Sequence, residues 1–222
     1  MLQSELLSLP GWTARARIPE TPDCPAVILP PLTLLLHGWQ GDETVMWVFA
    51  ARLPQNHLLI APRALYAAPE GGYSWVKRVQ GFPPFESFQT AVQGLLDLLE
   101  KIKTAVDHDP GPVNLVGFSQ GAALAQAFAV AYPKRVEALA CLAGFTPPGM
   151  ETLPGKPLKG KRLFIAHGTE DETIPVAIAR QNITTLEQLG AEVTYCEDNT
   201  GHKLSATCFR ALGEFFTNGI LA

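Results

Sequence analysis

The chain has 222 residues, 47% of them hydrophobic and 17% charged, with a formal net charge of −4. This length suits one large α/β domain spanning 1–222, whose core is not limited by size. The mild acidity, with no Lys/Arg-dense run, argues against nucleic acid or an anionic membrane as the main partner.

The first ten residues carry leucines at 2, 6, 7 and 9 but no basic run and no apolar stretch of signal-peptide length. No segment anywhere is long and apolar enough for a membrane span, so no stable membrane association is expected. Residues 12–18 and 26–29 read as one or two antiparallel edge strands. Apolar runs of strand length then recur at 32–36, 58–61, 113–116, 138–142, 163–166 and 193–196. Most are continuous rather than alternating, as strands covered on both faces should be. Helical spacing fills the intervals. Residues 85–106 place Phe88, Val92, Leu95, Leu96, Leu99 and Ile102 on one face; 122–132 is Ala-rich and stopped by Pro133; 176–189 and 204–216 complete the alternation. Repeated strand–helix–strand order implies a doubly wound, mainly parallel sheet flanked by helices. The four cysteines, Cys24, Cys141, Cys196 and Cys208, are scattered with no C-x-x-C pairing, which points to reduced thiols in a cytoplasm.

Nineteen Gly and nineteen Pro stand beside only six Ser, so a serine in a motif invites inspection. Ser119 lies in Gly117-Phe-Ser119-Gln-Gly121, a G-x-S-x-G with a buried strand before it and a small-residue helix after. That is the setting of a nucleophile elbow, where a tight turn lifts the hydroxyl above the sheet edge. A strand–helix turn with an incidental serine is the plainer alternative, and the flanking context argues against it. A serine hydroxyl needs a base to take its proton. Of the five histidines, His57 and His108 read as ordinary surface residues, and His167 ends a strand in a packing or loop role. His202 follows the last strand, in a loop where such sheets gather functional groups, and is the candidate base. The orienting acid should fall between 119 and 202. His167-Gly-Thr-Glu170-Asp171-Glu172 follows a strand and offers three acids, and spacing alone leaves Glu170 open beside Asp171. Backbone amides for an oxyanion hole are expected from Gln120, directly after the serine, and from Trp39 in the loop Leu36-His37-Gly38-Trp39-Gln40-Gly41.

Together these pieces resemble the α/β-hydrolase superfamily, and within it the phospholipase/carboxylesterase branch that includes acyl-protein thioesterases. The resemblance runs from Leu32 to the C-terminus through Leu36-His-Gly38, Gly117-Phe-Ser-Gln-Gly121, Gly168-x-x-Asp171-x-x-Ile174-Pro175 and Gly201-His202. It singles out Asp171 among the three acids. Ala61-Pro-Arg63 with Gly71-Gly-Tyr-Ser-Trp75 is similar to a loop near the acyl site of these esterases. The branch commonly has H-G-x-G, whereas Gln40 stands here before Gly41, and Lys203 follows the histidine where an acidic or small residue is more familiar.

The interval 143–162 is rich in Gly, Pro and Lys and carries no amphipathic pattern, so no helical cap is expected. Trp39, Trp75, Phe85, Phe145 and Ile174 flank the motifs and are candidates to line an acyl groove, with Trp75, Phe145 and Ile174 foremost. The resemblance implies a carboxylesterase-type serine hydrolase acting on esters or thioesters of short-to-medium acyl chains. It needs no cofactor and no metal. A receptor-like member sensing a small ligand and a peptidase or amidase are the competing readings, since one fold hosts many chemistries.

Overall fold

A computed structural model describes residues 4–19, 30–106 and 109–218. The chain opens with a hairpin, β1 (Glu5–Leu9) and β2 (Trp12–Arg17), turning at Gly11 with φ of 80°. Then follow β3 (Leu32–Leu36), the single turn α1 (Trp47–Ala50), β4 (Leu58–Pro62) and the short pair β5 (Tyr66–Ala67) and β6 (Tyr73–Ser74). The second half alternates α2 (Gln89–Val106), β7 (Val113–Phe118), α3 (Gln120–Ala131), β8 (Val136–Leu142), β9 (Arg162–Gly168), α4 (Val176–Gln188), β10 (Glu192–Asp198) and α5 (Ala206–Asn218). Eight strands form one sheet in the order β1-β2-β4-β3-β7-β8-β9-β10. Both pairings of β2 are antiparallel, and every pairing from β4 to β10 is parallel. This is the α/β-hydrolase architecture.

The continuous apolar strands follow from having helices on both faces. Leu34 and Leu36 of β3 face α2 and α3, while Leu35 faces α1 and α5; Leu115 and Val116 of β7, and Leu163 and Phe164 of β9, divide the same way. Helix α3 is buried along most of its length, which its alanines permit by letting its backbone approach the sheet closely. On α2, Leu98 takes the fully buried place and Leu96 only half of one, because the core-facing stripe runs 88, 91/92, 95, 98/99, 102.

The edge strand read at 12–18 is β2. Residues 26–29 lie outside the described residues. Strand β1 was not anticipated: 5–9 lacks alternation and is ordered by its pairing with β2. The interval 143–162 carries only one 3-10 turn, Met150–Thr152, so no helical cap overlies the sheet edge.

The expectation of separated, reduced thiols is corrected. Cys196 on β10 and Cys208 on α5 form a disulfide, while Cys141 is free and buried, its thiol pushed up to about 12 by burial. Sequence scatter concealed the pair because α5 folds back along β10 after a loop that holds the two cysteines 12 positions apart. A cross-link closing a loop of that length restricts the unfolded chain by about 3 kcal/mol in the chain-entropy model. Cys208→Ser is therefore expected to lower unfolding stability by up to about 3 kcal/mol, read from urea midpoints. Dithiothreitol should shift the wild-type midpoint and leave that of the variant in place.

Candidate active site

The carboxyl ends of β3, β7, β9 and β10 lie along one edge of the sheet, and each delivers a loop to the same place. At the end of β7 the chain turns abruptly into α3 through Ser119, whose φ of 53° and ψ of −117° lie outside the ordinary regions for an L-residue. Such a conformation costs on the order of 1–3 kcal/mol and persists only where the surroundings enforce it. They do so on three sides. The Ser119 N–H donates to the Leu142 carbonyl at 2.9 Å, and the Ser119 carbonyl accepts from the amides of Ala122 and Ala123 at 3.0 and 3.3 Å. A side chain at Gly121 would collide with the Leu36 carbonyl and come within 2.6 Å of that of His37. Only glycine lets α3 begin this close to β3.

The loop after β9 holds the candidate acid. Asp171 is buried, whereas Glu170 and Glu172 on either side are exposed, and it is Asp171 that His202 meets. Its Oδ1 accepts the N–H groups of Thr173 and Ile174, both at 2.9 Å. Its Oδ2 accepts from His202 Nδ1 at 2.7 Å. His167 Nε2 donates to the Ile174 carbonyl at 2.7 Å and lies 3.3 Å from the same Oδ2. A buried carboxylate is tolerable only with such a set of donors. With its Nδ1 proton given to Asp171, the His202 ring keeps Nε2 free as the basic nitrogen. The ring lies against Phe118, the residue before Ser119, with centroids 5.0 Å apart. The loop that carries it presses on β9 so closely that a side chain at Gly168 would strike the carbonyls of Thr200 and Gly201.

The candidate oxyanion loop, after β3, is built around His37. The Ala64 N–H donates to His37 Nε2 at 3.0 Å, which leaves the proton on Nδ1, and Nδ1 donates to the Gly38 carbonyl at 2.7 Å. Gly41 N–H reaches the same carbonyl at 3.1 Å. Because a trans peptide points its C=O and N–H in opposite directions, holding the Gly38 carbonyl turns the Trp39 N–H the other way. Gln40 adopts a φ of 64° that usually falls to glycine, so the loop keeps its turn despite the residue change there. The Gln120 amide sits in the first turn of α3, where helix N–H groups lack intrahelical partners.

Gln120 also joins the two halves. Its Oε1 accepts the Trp75 N–H at 2.8 Å and the Ser74 hydroxyl at 3.2 Å. The strand bearing those residues pairs with the oxyanion loop through Gln40 N–H to the Tyr73 carbonyl and Tyr73 N–H to the Gly41 carbonyl, each 2.9 Å. Arg63 anchors the far side of Tyr73. It forms a bidentate pair with Glu43, at 2.7 Å on both arms, and donates to the Tyr73 hydroxyl at 3.0 Å. The Arg63 guanidinium holds the Glu43 carboxyl below the usual range.

A cleft of about 280 Å³ opens from Ser119 and Gln120 between a wall made by residues of 74–83 and a second wall that includes Phe145, Thr173 and Ile174. Trp39, 46% exposed, lines it as well. Of the residues expected in the groove, Phe145 and Ile174 are on its wall, whereas Trp75 and Phe85 are not. Trp75 is fully buried behind the oxyanion loop, donating its indole N–H to the His37 carbonyl at 2.7 Å. Its correction has a simple cause: an aromatic next to a motif can brace the motif from behind as readily as face the solvent. His57, read as a surface residue, is also buried, with Nδ1 2.9 Å from Thr33 Oγ1 behind β3. His108 lies outside the described residues. Lys203 is exposed beside His202 and off the cleft. The sequence reading missed Lys77, Arg78, Val79 and Phe82 as cleft residues, since the only signal was their closeness in the chain to Ser74 and Trp75.

Comparison with known proteins agrees with this architecture. The family model described as phospholipase/carboxylesterase matches residues 23–218. Acyl-protein thioesterase 1 of Saccharomyces cerevisiae is 28% identical over 164 residues, covering 65% of this chain and 72% of the yeast protein. A Bacillus cereus carboxylesterase superposes with a TM-score of 0.81 at 22% identity, over 94% of each chain. One from Mesorhizobium loti gives 0.80 at 22% identity, over 96% of this chain and 98% of its own. At these identities the two structures speak for the fold.

The His37 arrangement carries a pH signature. Burial lowers the His37 pKa below its ordinary 6.5, and burial lowers that of His57 too. A base depressed in the folded state binds fewer protons than it does unfolded, so its stability contribution is full above about 6.5 and is lost as pH falls from there toward the folded value. Urea midpoints measured at successive pH values should fall below about pH 6.5 in the wild type. In His37→Gln the slope over that window should be shallower, with the His57 share remaining.

Proposed function

Because the chain belongs to the phospholipase/carboxylesterase family of α/β-hydrolases, we propose that it cleaves carboxylic esters and thioesters of short-to-medium acyl chains through an acyl-enzyme on Ser119. The observation that carries the reading is the buried Asp171 carboxylate accepting from His202 Nδ1 at 2.7 Å, with the ring set against the residue preceding a strained serine. The family and its relatives establish a hydrolase of carboxylesterase or thioesterase type; the serine mechanism and the acyl range are our assignment.

In the first step His202 Nε2 takes the Ser119 hydroxyl proton as Oγ attacks the carbonyl carbon. The carbonyl oxygen becomes an oxyanion and accepts from the Trp39 and Gln120 amides. Such preorganised donors contribute about 3–4 kcal/mol each where single donors have been removed. The tetrahedral species collapses by breaking the C–O or C–S bond, and the imidazolium returns its proton to the departing oxygen or sulfur. Water then enters, gives a proton to His202 and attacks the acyl carbon, and the same amides hold the second oxyanion. Collapse releases the carboxylic acid and restores the Ser119 hydroxyl. Asp171 stabilises the imidazolium throughout without itself taking the proton.

The size of the cleft supports the acyl range. About 280 Å³ lies at the lower end of ligand pockets, which suits a short or medium chain better than a long one. The open interval 143–162 supports an enzyme over a lidded receptor, since it offers no helix to move. Thioesters are included because the yeast relative is named as a thioesterase. No helix among the described residues is long and apolar enough to cross a membrane. The Cys196–Cys208 bond removes separated thiols as a ground for a reducing cytoplasm.

A fluorophosphonate probe should label wild-type protein at Ser119, located by peptide mass, and should not label Ser119→Ala. The same variant should lose 4-nitrophenyl butyrate hydrolysis, and Asp171→Asn should lower kcat on the order of 10³–10⁴-fold with KM little changed. Steady-state turnover surviving in Ser119→Ala would overturn the assignment.

A further inference from the structure

Every charged side chain lining the cleft is cationic. Lys77 and Arg78 stand on the 74–83 wall, both exposed, and no aspartate or glutamate is among the residues of the lining. This is not the balance of the chain, which has 21 acids against 17 lysines and arginines. Among the described residues no carboxylate forms an ion pair with either cation. Lys77 Nζ lies over the Tyr66 ring, 5.9 Å from its centroid. Both charges are thus left for a ligand.

The segment that bears them is part of the cleft. Phe82 stacks on Phe145 of the opposite wall with centroids 4.6 Å apart, which draws the far end of the segment across the opening. Trp39, Val76, Val79 and Ile174 contribute apolar surface to the same lining. A lining that combines apolar surface with two exposed cations fits a molecule whose methylene chain ends in an anion.

The position of His202 tells which half of the substrate this is. The departing oxygen or sulfur must reach His202 Nε2 for its proton, and His202 does not line the cleft. The alcohol or thiol half therefore leaves on the His202 side, and the cleft receives the acyl half.

We propose that the cleft selects acyl groups ending in a carboxylate, as in monoesters and monothioesters of short dicarboxylic acids, with Lys77 and Arg78 as the specificity-determining residues. The proposal rests on the serine-hydrolase reading above. Exposed ion pairs are each worth a factor of about 1.5 to 5, so two cations should give a preference of about fivefold and not a strict requirement.

The test compares kcat/KM for 4-nitrophenyl hemiglutarate with that for 4-nitrophenyl valerate, which has the same number of acyl carbons and no terminal charge. The wild type should prefer the hemiglutarate by about fivefold. The ratio should fall toward one at high ionic strength, where exposed charges are screened, and in the double variant K77Q/R78Q. A second pair, 4-butyryloxybenzoate against phenyl butyrate, puts the anion on the alcohol half, and its ratio should not respond to K77Q/R78Q. A wild-type ratio of one or less for hemiglutarate, with valerate hydrolysed and Ser119 required, overturns the proposal and leaves the hydrolase reading standing. Loss confined to the benzoate arm overturns the acyl-side assignment. No Ser119-dependent turnover of either neutral ester would instead defeat the reading beneath it.

Discussion

The site depends on one close approach. The first turn of α3 meets the end of β3 with no room for a side chain at Gly121, so the carbonyls of Leu36 and His37 touch the helix backbone. That contact brings the turn after β7 and the loop after β3 together, and those are the segments bearing Ser119, Gln120 and Trp39. β3 and β7 are sheet neighbours, with Leu36 opposite Gly117, and parallel pairing would by itself leave their following loops to diverge. The strained backbone at Ser119 is the consequence. A chain that must leave β7 and begin a helix against β3 at once has no relaxed path.

Around this contact, backbone groups and buried side chains hold one another in fixed directions. His37 fixes the Gly38 carbonyl, Gln120 fixes the strand of Ser74 and Trp75, and that strand fixes the oxyanion loop in turn. Gln120 lies in both halves, through its amide and through its side chain. The arrangement spends buried hydrogen bonds on orientation, which is what electrostatic stabilisation of a developing charge requires. Asp171 shows the same economy: three donors converge on one carboxylate, and only one of them belongs to His202. The disulfide between β10 and α5 closes the segment that carries His202 at both ends.

Much of this was legible before the structure. The parallel strands showed as continuous apolar runs because both faces of the sheet are covered. The elbow showed because a turn that tight demands glycine on each side of the serine. His202 and the acid cluster showed because functional loops follow the carboxyl ends of strands. Other features left no local mark. Trp75 looked like a groove residue and is buried, since adjacency to a motif does not say which side of it a ring will occupy. Cys196 and Cys208 looked unrelated, since their meeting depends on the path of α5. Lys77 and Arg78 drew no notice at all, being two ordinary cations in a loop.

By itself the amino-acid sequence determined what short-range stereochemistry and burial dictate: the order of the main parallel strands and long helices, the glycines of the elbow, and the chain order of the candidate serine, acid and histidine. Tertiary structure alone buried Asp171 and left Glu170 and Glu172 exposed, turned Trp75 inward, joined the cysteines and lined the cleft with cations. Each of these outcomes is a contact between segments distant in the chain. Such contacts are set by how the sheet and helices pack, and no periodicity or spacing records them.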